Sequence, residues 1–179
     1  MFISLQELEL RKVPFKVELP AGQLELDSSV RQASALHAEG SAQLLNGSLG
    51  EIRIQGDLRV DIEGTCDRCV EAAVYSVNNQ FDLVYVPTEN SVVGGEDEVD
   101  EAGLEVGYYE GNGIQLDDVF REAVLLALPK RLICREECKG ICPVCGENKN
   151  ETDCGCQQVA ADDRWSKLKM LRAELGPHN

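Results

Sequence analysis

Six of the eight cysteines in this 179-residue chain fall within 23 residues: Cys134, Cys138, Cys142, Cys145, Cys154 and Cys156. Their spacing, C-x3-C-x3-C-x2-C-x8-C-x-C, is that of thiolates gathered around a metal ion. Cys142-Pro143-Val144-Cys145-Gly146 is the sharpest unit. A thiolate knuckle needs two sulfurs converging on one ion and a turn whose N–H groups point at those sulfurs. Pro143 presets φ at such a turn, and Gly146 tolerates the conformation that follows. Cys154-Gly155-Cys156 then returns to close a tetrahedral site. Zinc is the default ion for an all-thiolate set. Cys142 and Cys145 lead that set and Cys154 and Cys156 follow. Cys134 and Cys138 either replace one of these pairs or build a second site. Two alternatives stand beside zinc. Disulfides would need an oxidising compartment, and an iron–sulfur cluster meets spacings unlike those of the common ferredoxins.

The remaining cysteines form Cys66-Asp67-Arg68-Cys69, and three readings of it stay open. It is a redox dithiol, although the βαβ context of such a site is absent. It is a second half-site that joins the C-terminal thiols at a zinc. Or it is a tight turn with two reduced thiols. Lys130, Arg131, Arg135, Lys139 and Lys149 lie in or just before the cysteine knot. Four thiolates on Zn²⁺ leave a formal charge of about −2, which these cations would relieve. The plainer reading is ordinary solvated side chains, and the two are compatible.

Other chemistry is hard to find. There is no Gly-rich phosphate loop, no H-E-x-x-H and no nucleophile elbow. The histidines are His37, inside an expected strand, and His178 near the end of the chain. No pair of carboxylates is recognisable as an acid–base centre. A six-cysteine knot leaves no obvious open coordination position, which favours a structural ion. The expectation is no catalytic residue, no small-molecule substrate and no enzyme.

Net charge is −15 and unevenly spread. Residues 1–68 carry 7 basic and 11 acidic side chains, residues 69–120 carry 12 acidic and none basic, and residues 121–179 carry 10 and 9. Phosphate binding depends on Lys and Arg releasing counterions, so only the C-terminal third is suited to touch RNA. An acidic protein more readily meets a basic protein, and ribosomal proteins are the commonest of these. Gln6, Glu7, Glu9, Arg11 and Lys12 occupy the place of a secretory apolar segment, and Ala123–Leu128 is too short to cross a bilayer. A cytoplasmic protein without membrane contact is expected, in which the sequons at Asn46 and Asn150 are accidental.

These sites need elements to hold them. Ile3–Leu8 reads as a short strand running into a helical turn. Val13, Phe15, Val17 and Leu19 alternate with polar residues, and Pro14 suggests an edge strand. Leu36, Ala38, Gly40, Ala42 and Leu44 share one face before an Asn46-Gly47 hairpin turn. Ile52, Ile54, Leu58, Val60 and Ile62 hold period 2 long enough for an antiparallel strand with one wet face. Residues 70–86 continue the sheet with Val70, Ala72 and Val74 on one parity and Tyr75, Val77, Phe81, Leu83 and Tyr85 on the other. That change of parity predicts a bulge. Gly- and acid-rich residues 88–107 read as a mobile loop. Leu116, Val119, Phe120, Ala123, Val124 and Ala127 recur at helical spacing until Pro129. Asp162-Asp163 precedes a short amphipathic helix through Trp165, Leu168, Leu171 and Leu175, stopped by Gly176-Pro177. The fold class expected is a β-rich α+β protein. It has a curved antiparallel sheet or small open barrel, a packed helix, and a C-terminal cysteine-rich zinc knot with a short helix. Its divisions are a sheet domain over residues 1–88, an acidic flexible loop over 89–112, and a helical and metal-binding segment over 113–179.

Laid out this way, the chain resembles the YceD-like family, bacterial proteins named for large ribosomal RNA subunit accumulation. Gly64-Thr65-Cys66-Asp67-Arg68-Cys69 resembles the family's C-x-R-C turn after a long strand. Ile114–Asp117 through Leu128-Pro129 resembles its helix ending in "ALP". Leu132–Gly146, with Cys138-Lys139-Gly140-Ile141-Cys142-Pro143, resembles its cysteine knot. Asp162-Asp163-Arg164 through Leu171 is similar to its closing helix, with Asp163 where proline is usual. The resemblance implies a role in ribosome biogenesis, through production or stability of large-subunit rRNA. In that reading Lys130, Arg131, Arg135, Lys139 and Lys149 face the rRNA or a basic ribosomal protein. The rival is a zinc-stabilised protein–protein adaptor unconnected with ribosomes.

Overall fold

Alternating residues of β4 (Leu36–Leu44) and β5 (Ile52–Thr65) bury Leu36, Ala38, Ala42, Ile52, Ile54, Leu58, Val60 and Ile62 on one face. Period-2 burial of this kind commits a strand to one core face and leaves the other wet. In the computed structural model, which describes residues 1–45, 47–90 and 105–156, nine further elements complete the order. They are β1 (Phe2–Ser4), α1 (Leu5–Leu10), β2 (Val13–Leu19), β3 (Val30–Gln32), β6 (Ala72–Pro87), a 3-10 turn at Thr88–Asn90, β7 (Glu105–Tyr109), β8 (Gly113–Gln115) and α2 (Leu116–Ala127). The chain divides into two compact units, Met1–Asp67 with Glu71–Glu136, and Arg68–Val70 with Glu137–Asn179.

All the named elements belong to the first unit. Its main sheet is open, ordered β2-β4-β5-β6-β7, with β3 also paired to β5. β1 pairs β8 in a separate two-stranded ladder. β2 lies at one end of the order, where the proline at position 14 costs the ladder least. α2 contributes Leu116, Val119, Phe120, Ala123 and Val124 to the same core as the sheet. It ends at Leu128, whose extended backbone (φ −70°, ψ 141°) suits a residue that precedes proline. The mostly-sheet α+β class expected from sequence is therefore present, as an open sheet.

Two expectations are corrected. The β5–β6 register runs unbroken from Ile52↔Tyr85 to Thr65↔Ala72, so no bulge interrupts it. Ala73, Val77, Phe81, Leu83 and Tyr85 keep one parity in the core, while Val74 (59% exposed) lies on the wet face despite its apolar side chain. The sheet is also not wholly antiparallel. β7, expected inside a loop, pairs β6 in parallel from Leu83↔Glu105 to Pro87↔Tyr109. The chain between Pro87 and Glu105 is long enough for the crossover that a parallel pair requires. Asn46 of the expected hairpin turn, the core of the acidic loop at residues 91–104 and the C-terminal helix with Trp165 lie outside the described residues. Among the described residues, no helix is long and apolar enough to cross a membrane.

Candidate metal centre

The turn that carries Cys66 is built by its neighbour. Asp67 N–H donates to Leu132 O (2.8 Å), and Leu132 N–H donates back to Asp67 Oδ2 (2.8 Å). This reciprocal pair ties the end of β5 to the segment after α2. Cys134 N–H then donates to Cys66 Sγ at 3.3 Å. Such N–H···S bonds favour the thiolate, which is the form that binds metal.

The second unit builds its own frame. Arg68 Nη1–H donates to Cys138 O (3.2 Å) and Ile141 N–H donates to Arg68 O (2.9 Å). Gly140 sits at φ +72°, and a Cβ there would lie 2.8 Å from Arg68 O, so the Lys139-Gly140-Ile141 step admits only glycine. A short hairpin follows: Ile141 bridges Asn148, Cys142 N–H donates to Glu147 O (2.8 Å), and Lys149 N–H donates to Gly140 O (2.9 Å). Its tip is the expected knuckle. Gly146 N–H closes on Cys142 O (2.9 Å) with Gly146 at φ +80°.

The cysteines fall into two groups of four. Cys66, Cys69, Cys134 and Cys138 have sulfurs all within 4.8 Å of one another, and so do Cys142, Cys145, Cys154 and Cys156. Four sulfurs around one ion at tetrahedral bond lengths stand about 3.8 Å apart, so either group could hold one. Cys66, Cys69 and Cys138 are buried, as is Cys142; Cys145 and Cys156 are exposed.

The second group shows why an ion suits it. Backbone N–H groups of Cys145 and Val144 point at Cys142 Sγ and bring its thiol down to about 6. Hydrogen bonding with Cys145 and Cys154 pushes Cys156 up to about 12. Cys145 receives the Glu147 N–H, which favours its thiolate, but desolvation and the neighbouring sulfurs outweigh this and raise it. Cys142 is prepared to be an anion, and Cys145 and Cys156 resist joining it. A divalent cation removes that conflict, since each thiolate then faces positive charge.

Other expected residues are more dispersed. Lys130, Arg131 and Arg135 are exposed in the first unit. In the second, Lys139 is exposed and Lys149 half-buried. His37 lies on β4, near Glu18 (Nδ1 to Oε2 3.8 Å) and in neither cysteine group. Two residues that organise the thiols had no role in the sequence reading. Asp67 was legible only as part of the C-x-R-C turn. Asn150, read as a chance sequon, donates Nδ2–H to Cys138 Sγ at 3.3 Å.

Comparison with known proteins bears on what this arrangement serves. The Arabidopsis thaliana protein named large ribosomal RNA subunit accumulation protein YCED homolog 1, chloroplastic, is 26% identical over 150 residues, covering 70% of this chain and 46% of its own length. An uncharacterized protein of Mycobacterium tuberculosis (strain H37Rv) is 28% identical over 128 residues, 72% of this chain and 58% of its own. An uncharacterized protein of Mycobacterium bovis shows the same identity and coverage. This chain thus spans about half the length of the curated relatives it matches. No solved structure is significantly similar to it. The family model described as large ribosomal RNA subunit accumulation protein YceD matches residues 54–172, a stretch that contains all eight cysteines, and the chain belongs to that family.

Proposed function

We propose that this chain is a non-enzymatic accessory factor in large ribosomal subunit biogenesis, acting in the cytoplasm on the accumulation of large-subunit rRNA. The family match over residues 54–172 carries this reading. In it, the thiol groups bind zinc as a structural ion. The all-sulfur donor set is the support: it suits zinc, and four protein ligands leave no position open for a substrate. Lys130, Arg131, Arg135, Lys139 and Lys149 make the contact with rRNA or with a ribosomal protein. The remainder of the chain is strongly acidic and would repel phosphates while attracting a basic protein.

The test is sedimentation of cell extracts on a gradient, with wild-type protein and with Lys130, Arg131 and Arg135 all changed to Glu. Wild-type protein travelling with large-subunit precursors, and the triple variant staying at the top, supports the assignment. Wild-type protein that meets no large-subunit component overturns it and leaves the adaptor unconnected with ribosomes. Ribonuclease treatment before sedimentation separates the two partners: loss of association identifies rRNA, persistence a ribosomal protein.

A further inference from the structure

The Asn150 side chain occupies a polar corner in which every atom has a defined partner. Its Oδ1 accepts the Lys139 N–H at 2.9 Å. A backbone N–H can only donate, so the amide is oriented: oxygen toward Lys139, nitrogen toward Cys138 Sγ (3.3 Å) and Asn148 Oδ1 (2.8 Å). Asn148 Oδ1 also accepts the Asn150 N–H (3.0 Å), and Asn148 bridges Ile141 across the hairpin that bears Cys142 and Cys145. The N–H groups of Glu151 and Thr152, on the path to Cys154, both donate to Asn148 O (3.0 Å each). One amide therefore grips a sulfur of the first cysteine group from the turn that sets the second.

We propose that Asn150 is a positioning residue for metal at the group containing Cys138, and that through it an ion at Cys142, Cys145, Cys154 and Cys156 favours an ion at the other group. The proposal rests on the reading that both groups hold metal. An ion in the second group fixes the hairpin and with it Asn148. Asn148 holds the Asn150 amide, and the amide holds Cys138 Sγ in its ligating position. An amide N–H directed at a ligating sulfur also compensates part of the charge concentrated on it. Outer residues of this kind typically alter metal affinity by about 10- to 100-fold.

The experiment titrates the purified, metal-stripped full chain with Co²⁺ against a competing chelator, following sulfur-to-cobalt charge transfer and the d–d bands of tetrahedral cobalt. Asn150→Asp keeps an acceptor for Lys139 N–H but turns a carboxylate oxygen toward Cys138. Asn150→Ala removes the amide without adding charge. Wild-type protein should take up two equivalents, the second more tightly once the first is bound. Both variants should retain one wild-type-affinity site and lose about tenfold or more at the other, with Asn150→Asp the weaker. A purely structural lesion would weaken both sites together. Two wild-type-affinity, cooperative sites in both variants overturn the role of Asn150. Wild-type protein that binds no cobalt overturns the metal reading itself, and the proposal with it.

Discussion

Gly40 of β4 and Gly56 of β5 stand opposite each other in register, and neither position has room for a side chain. A Cβ on Gly40 would lie 2.2 Å from Gln55 O, and one on Gly56 would lie 2.4 Å from Glu39 O. The same row continues outward to Phe15 on β2 and Phe81 on β6. Phe120 of α2 packs against both rings, with centroids 5.8 Å from Phe15 and 6.5 Å from Phe81, and is fully buried. Two absent side chains and three aromatic rings thus fit the helix to the sheet.

Gly40→Ala is accordingly expected to destabilise the protein by about 3 kcal/mol, the upper part of the usual range for overpacking, because the obstacle is backbone that cannot rotate away. Trimming Phe15 to Leu in the same chain removes the ring carbon that the new methyl would approach at 2.9 Å but leaves the closer backbone atoms of Gln55 and Gly56, so it should not restore stability. Thermal unfolding of the two single variants and the double variant checks this. A double variant more stable than Gly40→Ala alone would show that the clash is with the ring.

Val70 is the one non-glycine residue at positive φ (65°) among the described residues, and its side chain is exposed. A β-branched residue adopts this conformation at a cost of about 1–3 kcal/mol. Val70→Gly should therefore raise stability by about 1 kcal/mol after the extra chain entropy of glycine is deducted, and Val70→Asn by a smaller amount. Denaturant unfolding of metal-stripped protein measures the effect free of ligand linkage. Lower stability in both variants would mean that the Val70 side chain makes a contact worth more than the strain.

Much of the sheet was legible because its strands bury one face only. Ile52 to Ile62 announce β5 without help, and Pro129 marks the end of α2. What escaped depends on partners far along the chain. β8 is three residues whose ladder with β1 links Phe2 to Gln115, and nothing local to Gly113–Gln115 encodes that register. β7 lay inside an acidic stretch, where Val106 and Tyr108 are exposed and supply no alternation toward a core. Val74 misled because an apolar side chain on the wet face imitates a change of parity. The cysteine spacings identified knuckles, but spacing cannot say which pair of thiols meets which. That was fixed by Asp67 and Leu132, a hydrogen-bonded pair drawn from segments 65 residues apart.

Tyr85 gives the fold a limit at alkaline pH. Its hydroxyl donates to Glu122 Oε2, and burial first, then Glu122, holds its ionisation above the ordinary value. A phenol raised in the folded state adds stability that is complete below the unfolded value of about 10 and is lost as pH rises through the folded one. Stability should fall from about pH 10 upward, by at most about tenfold in the folding constant per pH unit for this one group. Tyr85→Phe should be flatter over that window, though not flat, because burial raises Tyr109 in the same direction. Denaturant midpoints at successive pH values between 9 and 12 provide the comparison. Identical slopes in the two proteins would remove Tyr85 as the cause.

Metal uptake should show the opposite dependence on pH. With Cys142 at about 6, its sulfur is already anionic at neutral pH, whereas Cys156 at about 12 and Cys145 above its ordinary value still carry protons. An ion bound by all four sulfurs must displace at least those two. Protons then compete with metal, so affinity at Cys142, Cys145, Cys154 and Cys156 should rise by about 100-fold or more per pH unit between pH 6.5 and 8. Below about 6, protonation of Cys142 steepens the loss further. Adding Zn²⁺ to metal-stripped protein in weakly buffered solution with a pH indicator counts the protons directly. Cys145→Ser and Cys156→Ser should each release fewer. Fewer than two protons per ion from wild-type protein would mean that this group does not bind through all four sulfurs.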